Sequence, residues 1–215
     1  MMAAPFKHRT AMRTLYTKPG ACSLADHIVL QWIGAPFEAR VVDATQMKEA
    51  PFLALNPAGA VPVLVEGDWV LTQNAAILNY LADTHPDAKL GGDGTPQGRA
   101  EVNRWLALLN ADLHPAFHPL FGSTKYLDNA DAVDATRKQA MTKIRGFYER
   151  LNAQLAGRDY LVGTRSIADP YLFVTLQWAK RLKLDLGGLD NLHAFDARMR
   201  ADAGVQAAMT AEGLI

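Results

Sequence analysis

The chain has 215 residues, 49% hydrophobic and 20% charged, with 22 basic side chains balancing 22 acidic ones, the mix of a globular protein that can bury a core without covalent staples. Zero net charge argues against a dedicated nucleic-acid surface or an anionic-membrane surface. The single cysteine allows no internal disulfide and fits a reducing cytoplasm, and no apolar run approaches the roughly 20 residues that span a bilayer.

Residues 1–11 carry Lys7 and Arg9, no acid and no apolar core. They read as an extra tail, or as a start site placed too early with Met12 as the alternative beginning, rather than a secretory signal, and a transit peptide is the weaker alternative. Arg13–Thr17 reads as a short strand. Pro19–Gly20 signals a loop. Leu24, Ile28, Leu30 and Ile33 then follow helical spacing, and Gly34 ends that helix. Phe37–Val42 is rich in β-formers and reads as a second strand, and Gln46–Leu55 as a helical segment. Val61–Val65 and Trp69–Leu71 flank Glu66-Gly-Asp68, a hairpin signature. Ala75, Ile77, Leu78 and Leu81 mark one face of a further helix.

The order is βαβ, then α, then ββα, and it assigns residues 12–84 to a first domain. Residues 85–98, rich in glycine and proline, read as a linker. Residues 99–215 read as all-helical. Trp105, Leu108, Leu109 and Leu113 share one helical face; Val133, Met141, Ile144, Phe147, Tyr148, Leu151 and Leu155 share another. Ser166-Ile-Ala-Asp169 is a helix start of the capping-box kind, leading into Tyr171, Leu172, Leu176 and Trp178.

Four places could carry chemistry. Cys22 lies between a strand and a helix start, where free N–H groups and a partial positive charge lower a thiol pKa. A lone free cysteine is also often a small buried hydrophobe, and on position alone the two readings stand level. Val61–Pro62 is either an edge feature or a cis peptide that presents the Val61 backbone to a ligand. Gln73–Asn74 opens a helix, as a simple cap or as a carboxylate site. His114 and His118 stand four apart beside Asp112, a metal-like spacing. Pro115 and Pro119 interrupt the segment and no further ligand cluster is evident, so a packing or hydrogen-bonding role fits better and no metal is expected.

Taken together, Leu15-Tyr-Thr-Lys-Pro-Gly-Ala-Cys-Ser-Leu-Ala-Asp-His27, Asn56-Pro-Ala-Gly-Ala-Val-Pro62 and the helix start at Gln73–Asn74 resemble a bacterial beta-class glutathione transferase. The resemblance continues through Asp112-Leu-His-Pro-Ala-Phe-His-Pro-Leu-Phe121 and Ser166-Ile-Ala-Asp-Pro-Tyr-Leu-Phe173 to the tail Ala211-Glu-Gly-Leu214. It implies a thioredoxin-like N-terminal α/β domain followed by an all-α domain that contributes the acceptor site, assembled as a homodimer. It implies glutathione as cosubstrate and Cys22 as the residue that bonds to its sulfur or hydrogen-bonds it. It further implies a Val61–Pro62 backbone that pairs with the cysteinyl part, and His114 near the thiol.

The chain also departs from the pattern. Gln73–Asn74 stands where an acid with serine or glycine usually holds the γ-glutamyl end. Pro115 replaces a lysine and Ala107 an asparagine. Lys48 is the nearest match to a lysine of the loop after the second strand. Pro170 replaces a small residue in the capping-box helix.

The leading reading is a cytoplasmic detoxification enzyme that uses glutathione against small hydrophobic electrophiles or disulfides. With a cysteine at this position, thiol–disulfide exchange is favoured over fast conjugation, and with no second cysteine a second glutathione would resolve the mixed disulfide. The alternative is a non-catalytic, ligandin-like protein that binds hydrophobic compounds or a protein partner. Dehalogenation or isomerisation with glutathione stays open because one fold hosts several reactions.

Overall fold

The computed structural model of the chain describes residues 12–215. The reading of residues 1–11 as a tail lies outside the described residues. Strand β1 (Arg13–Thr17) is central in a four-stranded sheet of order β2-β1-β3-β4. It pairs in parallel with β2 (Phe37–Val41) and antiparallel with β3 (Val63–Glu66), which turns into antiparallel β4 (Trp69–Thr72). Leu15 lies opposite Ala39 on one side and Leu64 on the other. Side chains alternate across a strand. Leu15 and Leu64 therefore face the main core, while Tyr16, Val63 and Val65 face a smaller one built around Phe52.

Helix α1 (Leu24–Ile33) makes the parallel crossover and ends at Gly34, whose φ of 71° and N–H bond to Leu30 form a left-handed cap. The segment read as one helix over 46–55 is a 3₁₀ turn, Gln46–Lys48, followed by α2 (Ala50–Leu55). Strand β3 begins at Val63 rather than Val61, because Pro62 has no N–H to give the ladder. Helix α3 (Asn74–Thr84) completes the first domain.

Helix α4 (Pro96–Ala107) follows, with Pro96, Gln97 and Gly98, read as linker, in its first turn; the Thr95 hydroxyl caps it by accepting the Gly98 N–H at 2.9 Å. The helix continues through a π-helical turn, Leu108–Leu113, into α5 (His114–Ala116). Pro115 cannot donate within this turn, and π-turns recur at functional sites where the helix must widen. Helices α6 (Ala130–Gln154), α7 (Ala168–Arg181), α8 (Asp190–Ala201) and α9 (Ala203–Ala211) follow. The start of α7 is a buried capping box: Asp169 accepts the Ser166 N–H at 2.7 Å and the Leu161 N–H at 2.9 Å, while the Ser166 hydroxyl accepts from Ala168. No helix among the described residues is long and apolar enough to cross a membrane.

The domains meet where α1 packs on α7 and α9. The buried carboxyl group of Glu212, just past α9, accepts from the Thr17 hydroxyl at 2.7 Å and the Gly20 N–H at 3.1 Å and lies 3.0 Å from His27 Nδ1. Trp178 Nε1 donates to the Gly20 carbonyl at 2.8 Å. Gly20 is thus held by its N–H and by its C=O, in a left-handed conformation with φ of 69° that favours glycine.

Removing the Glu212 carboxyl group leaves several buried donors without an acceptor, which is costly. Glu212→Ala is expected to lower the unfolding free energy by about 3 kcal/mol, read from urea denaturation. Removing the exposed Glu149 partner of Arg145 should change it little. Equal effects of the two substitutions would remove Glu212 from its structural role.

Candidate active site

Two cavities meet at Cys22 and His114. The smaller, about 250 Å³, runs between the domains and is lined by Cys22, Asn56, Val61, Pro62, Gln73, Asn74, Asn110, His114, His118 and Tyr171, with Ala58, Ala60 and Pro115. The larger, about 1040 Å³, opens on the other side and is lined by Lys18, Phe121, Trp178, Arg181 and Leu214, among others. Sequence reading therefore placed Cys22, Val61, Pro62, Gln73, Asn74 and His114 where the fold brings them together. Lys48 lies on the exposed 3₁₀ turn and lines neither cavity.

The Val61–Pro62 bond is cis. Cys22 Sγ donates to the Val61 carbonyl at 3.6 Å. Its thiol does not have the lowered pKa expected at a helix start. Burial pushes it up to about 12, and the charge of Asp26, one turn along α1, adds to the rise. Backbone N–H groups of Ser23 and Cys22 act in the other direction and lose. Asp26 is itself buried, and burial, reinforced by the charge of Glu212, lifts its carboxyl well above the usual range. Desolvation first, and the charge of Asp26 second, outweigh the backbone N–H groups at the helix start.

The Asn74 side chain has partners within the protein. Oriented so that its oxygen and nitrogen each meet a complementary partner, its amide donates to Asp26 Oδ2 at 2.6 Å and to the Cys22 carbonyl at 3.2 Å. The side chain is buried and turned inward, leaving the backbone N–H groups at the start of α3 to face a carboxylate. Gln73 precedes them with φ of 76°, a conformation a non-glycine residue holds at a cost and one that clusters at functional sites.

Two residues enter that sequence reading did not assign. The buried Tyr171 hydroxyl lies 2.6 Å from His114 Nδ1 and donates to Asn110 Oδ1 at 3.4 Å. Burial and then the charge of Cys22 hold Tyr171 above the ordinary phenol range. Asn110, about one turn after Ala107, lines the cleft. Burial, with the charge of His118 adding, lowers His114 to about 4. Its ring packs against Trp178 with centroids 4.6 Å apart. His114 and His118 stack edge to face at 5.6 Å, and among the described residues no three potential ligands gather to hold a metal ion.

A thioredoxin-like sheet, a cis-proline backbone beside a cysteine and an all-helical partner domain define a two-domain, thioredoxin-like class of protein with a cleft at Cys22. Comparison with known proteins agrees: residues 12–83 match the glutathione S-transferase N-terminal domain, and residues 105–202 match the C-terminal domain. The chain is 61% identical over 201 residues to glutathione S-transferase GST-4.5 of Xanthomonas campestris pv. campestris, covering 93% of this chain and 98% of that protein. A glutathione S-transferase structure from Xylella fastidiosa superposes with a TM-score of 0.92 at 52% identity, covering 94% of this chain and all (100%) of that one. The beta-class enzyme of Sphingomonas chungbukensis superposes at 0.82 with 37% identity and coverage of 94% and 100%. The chain belongs to the glutathione S-transferase family, with glutathione as its cosubstrate, and the family match favours a transferase over the non-catalytic alternative.

Two titrations follow. Alkylation of Cys22 by neutral iodoacetamide should rise about tenfold per pH unit from 7 to 10 without a plateau, since the thiolate is the reactive form and the thiol titrates near 12. A plateau below pH 8.5 would contradict the buried-thiol assignment. By NMR the His114 ring should titrate near 4. Because the folded value is depressed, the unfolded chain takes the proton first, so this contribution to stability is full at neutral pH and drains as pH falls from about 6.5 towards 4. A His114 midpoint near 6.5 would contradict it.

Proposed function

We propose that the enzyme conjugates glutathione to electrophiles, with Cys22 acting as a protonated thiol that donates a hydrogen bond to the glutathione sulfur. The supporting observation is the environment of Cys22. With a pKa near 12, the thiolate is on the order of one part in 10⁵ at pH 7. That population is a poor nucleophile for disulfide exchange, whereas a neutral thiol is a donor. Exchange, favoured on sequence alone, becomes the secondary reaction.

Glutathione supplies the nucleophilic sulfur. The backbone of Val61, ahead of Pro62, pairs with its cysteinyl portion. The backbone amides opening α3 at Gln73–Asn74 take its γ-glutamyl carboxylate, with the Gln73 side chain at the exposed rim. Asn74 holds the Cys22 carbonyl and Asp26 in place from within. His114 is neutral at working pH and, with Tyr171, lines the wall beside the sulfur. In the transfer the thiol proton leaves to solvent, the sulfur lone pair forms the S–C bond, and the leaving group departs with its bonding pair. Lys48 has no part in this reading. The enzyme acts in the cytoplasm as a homodimer, a reading supported by its reduced single cysteine and by the exposed Trp69 on the sheet-edge strand.

The two reactions separate in one experiment. With glutathione and 1-chloro-2,4-dinitrobenzene at pH 7 the enzyme should turn over, and Cys22→Ala should lower kcat/KM by about 10–100-fold, the range for loss of one oriented donor or less. With glutathione disulfide at pH 7, intact-mass analysis should show slow adduct formation on Cys22 that accelerates with pH. Complete adduct formation within seconds at pH 7 would return exchange to first place.

A further inference from the structure

The larger cavity carries a charge imbalance that the transfer chemistry does not use. Its inner wall is aromatic: Trp178 packs against His114 at 4.6 Å and meets Phe121 edge-on at 5.3 Å. The half-buried Lys18 and the exposed Arg181 also line the cavity. Among the described residues, neither of these side chains makes an ion pair, although the neighbouring Lys180 is paired with Asp196 and most arginines of the helical domain hold an acid. The one acid on the lining, Asp43, is turned to its own loop, where Oδ1 accepts the N–H groups of Thr45 at 2.7 Å and Gln46 at 2.8 Å. His114 adds no charge at neutral pH. The bonds to Thr45 and Gln46 leave Asp43 charged, so the lining carries two cations against one anion, a small net positive charge at one aromatic cavity in a chain whose net charge is zero.

We infer that the acceptor is an anion: an aromatic or branched apolar electrophile bearing a carboxylate or sulfonate, its apolar body against Trp178 and Phe121 and its charge towards Lys18 and Arg181. This rests on the transferase reading above and names the substrate class of the same site. Geometry favours it in two ways. Long cationic side chains can lie along apolar surface with their charged heads in water, so they need no desolvation before meeting a ligand. An anion held there leaves its electrophilic carbon on the Cys22 side, because Cys22 and His114 line both cavities. The charge has no covalent part; it orients the acceptor and speeds encounter.

The test separates binding from turnover. The full-length enzyme, saturated with unreactive S-methylglutathione, is titrated by calorimetry with biphenyl-4-carboxylate and with biphenyl-4-carboxamide. The acid should bind about tenfold tighter, since each partly exposed cation is worth up to about fivefold. The preference should shrink towards one in about 0.5 M salt, a measurement that needs no variant. It should also vanish in the Lys18→Met, Arg181→Met double variant, with carboxamide binding reporting that the cavity is still formed. Equal affinities in the unmodified enzyme, or a preference that survives both salt and the double substitution, overturn the inference. In parallel, 4-(chloromethyl)benzoate and its methyl ester are offered with glutathione, each rate divided by its uncatalysed rate. Equal normalised kcat/KM for the two overturns the anionic acceptor and leaves the transferase standing. Consumption of neither, with the binding preference intact, overturns the transferase reading and leaves the anion site standing.

Discussion

The Glu212 carboxyl group is the contact on which the arrangement of the site depends. It lies on the last turn of the chain, yet its partners are Thr17, Gly20 and His27, at the end of the first strand, in the following loop and in the first helix. A buried carboxyl group is expensive unless nearly all its lone pairs are used, and here both oxygens are engaged. The same loop is tied from the opposite side by Trp178. Cys22 is two residues beyond Gly20, so the position of its sulfur follows from the second domain as much as from the first. The second domain alone holds Gly20 at both its N–H, through Glu212, and its C=O, through Trp178.

Burial decides the electrostatics. A helix start ordinarily favours a thiolate. Here desolvation, with the charge of Asp26 adding to it, acts on a half-buried thiol that lines both cavities. The partial charge at a helix end is worth about 0.3–1 kcal/mol in an exposed setting. A displacement from 9.0 to about 12 is roughly 4 kcal/mol between protonation states, so burial wins. A protonated thiol beside the cis-proline backbone is suited to stabilising another sulfur's charge and ill suited to carrying its own.

Much of this architecture was legible in the sequence because it is written in local patterns. Period-two runs, the Glu66-Gly-Asp68 hairpin, Gly34 at a helix end and the Ser166–Asp169 box each act over a few residues, and each element formed where its pattern lay. The motif around Cys22 and Val61–Pro62 likewise marked the cleft. What stayed hidden depends on residues distant in the chain. Glu212 was part of the tail motif, but nothing local says that it reaches Thr17. Asp26 looked like one more residue of α1, and only the fold shows it buried against Asn74. The lowered thiol pKa was a sound inference from local geometry, defeated by a desolvation that sequence spacing does not express. Tyr171 carried an apolar reading as part of a helical face. Its hydroxyl finds its partner in another helix, 2.6 Å from His114 Nδ1 on α5.

Trp178 joins these threads. Its indole N–H holds the Gly20 carbonyl, and its ring is the wall against which His114 and Phe121 pack. One rigid side chain therefore fixes the loop that carries the thiol and shapes the cavity that receives the acceptor. A ligand pressing on that ring acts on the same body that sets the height of Gly20. The buried face of Trp178 is closely packed, and dense packing transmits displacement rather than absorbing it. A change at Trp178 would alter loop and cavity at once, whereas the cations of the lining, Lys18 and Arg181, can tune the choice of acceptor without moving the thiol. Separating chemistry at the thiol from selection at the cations lets one catalytic core serve different acceptors.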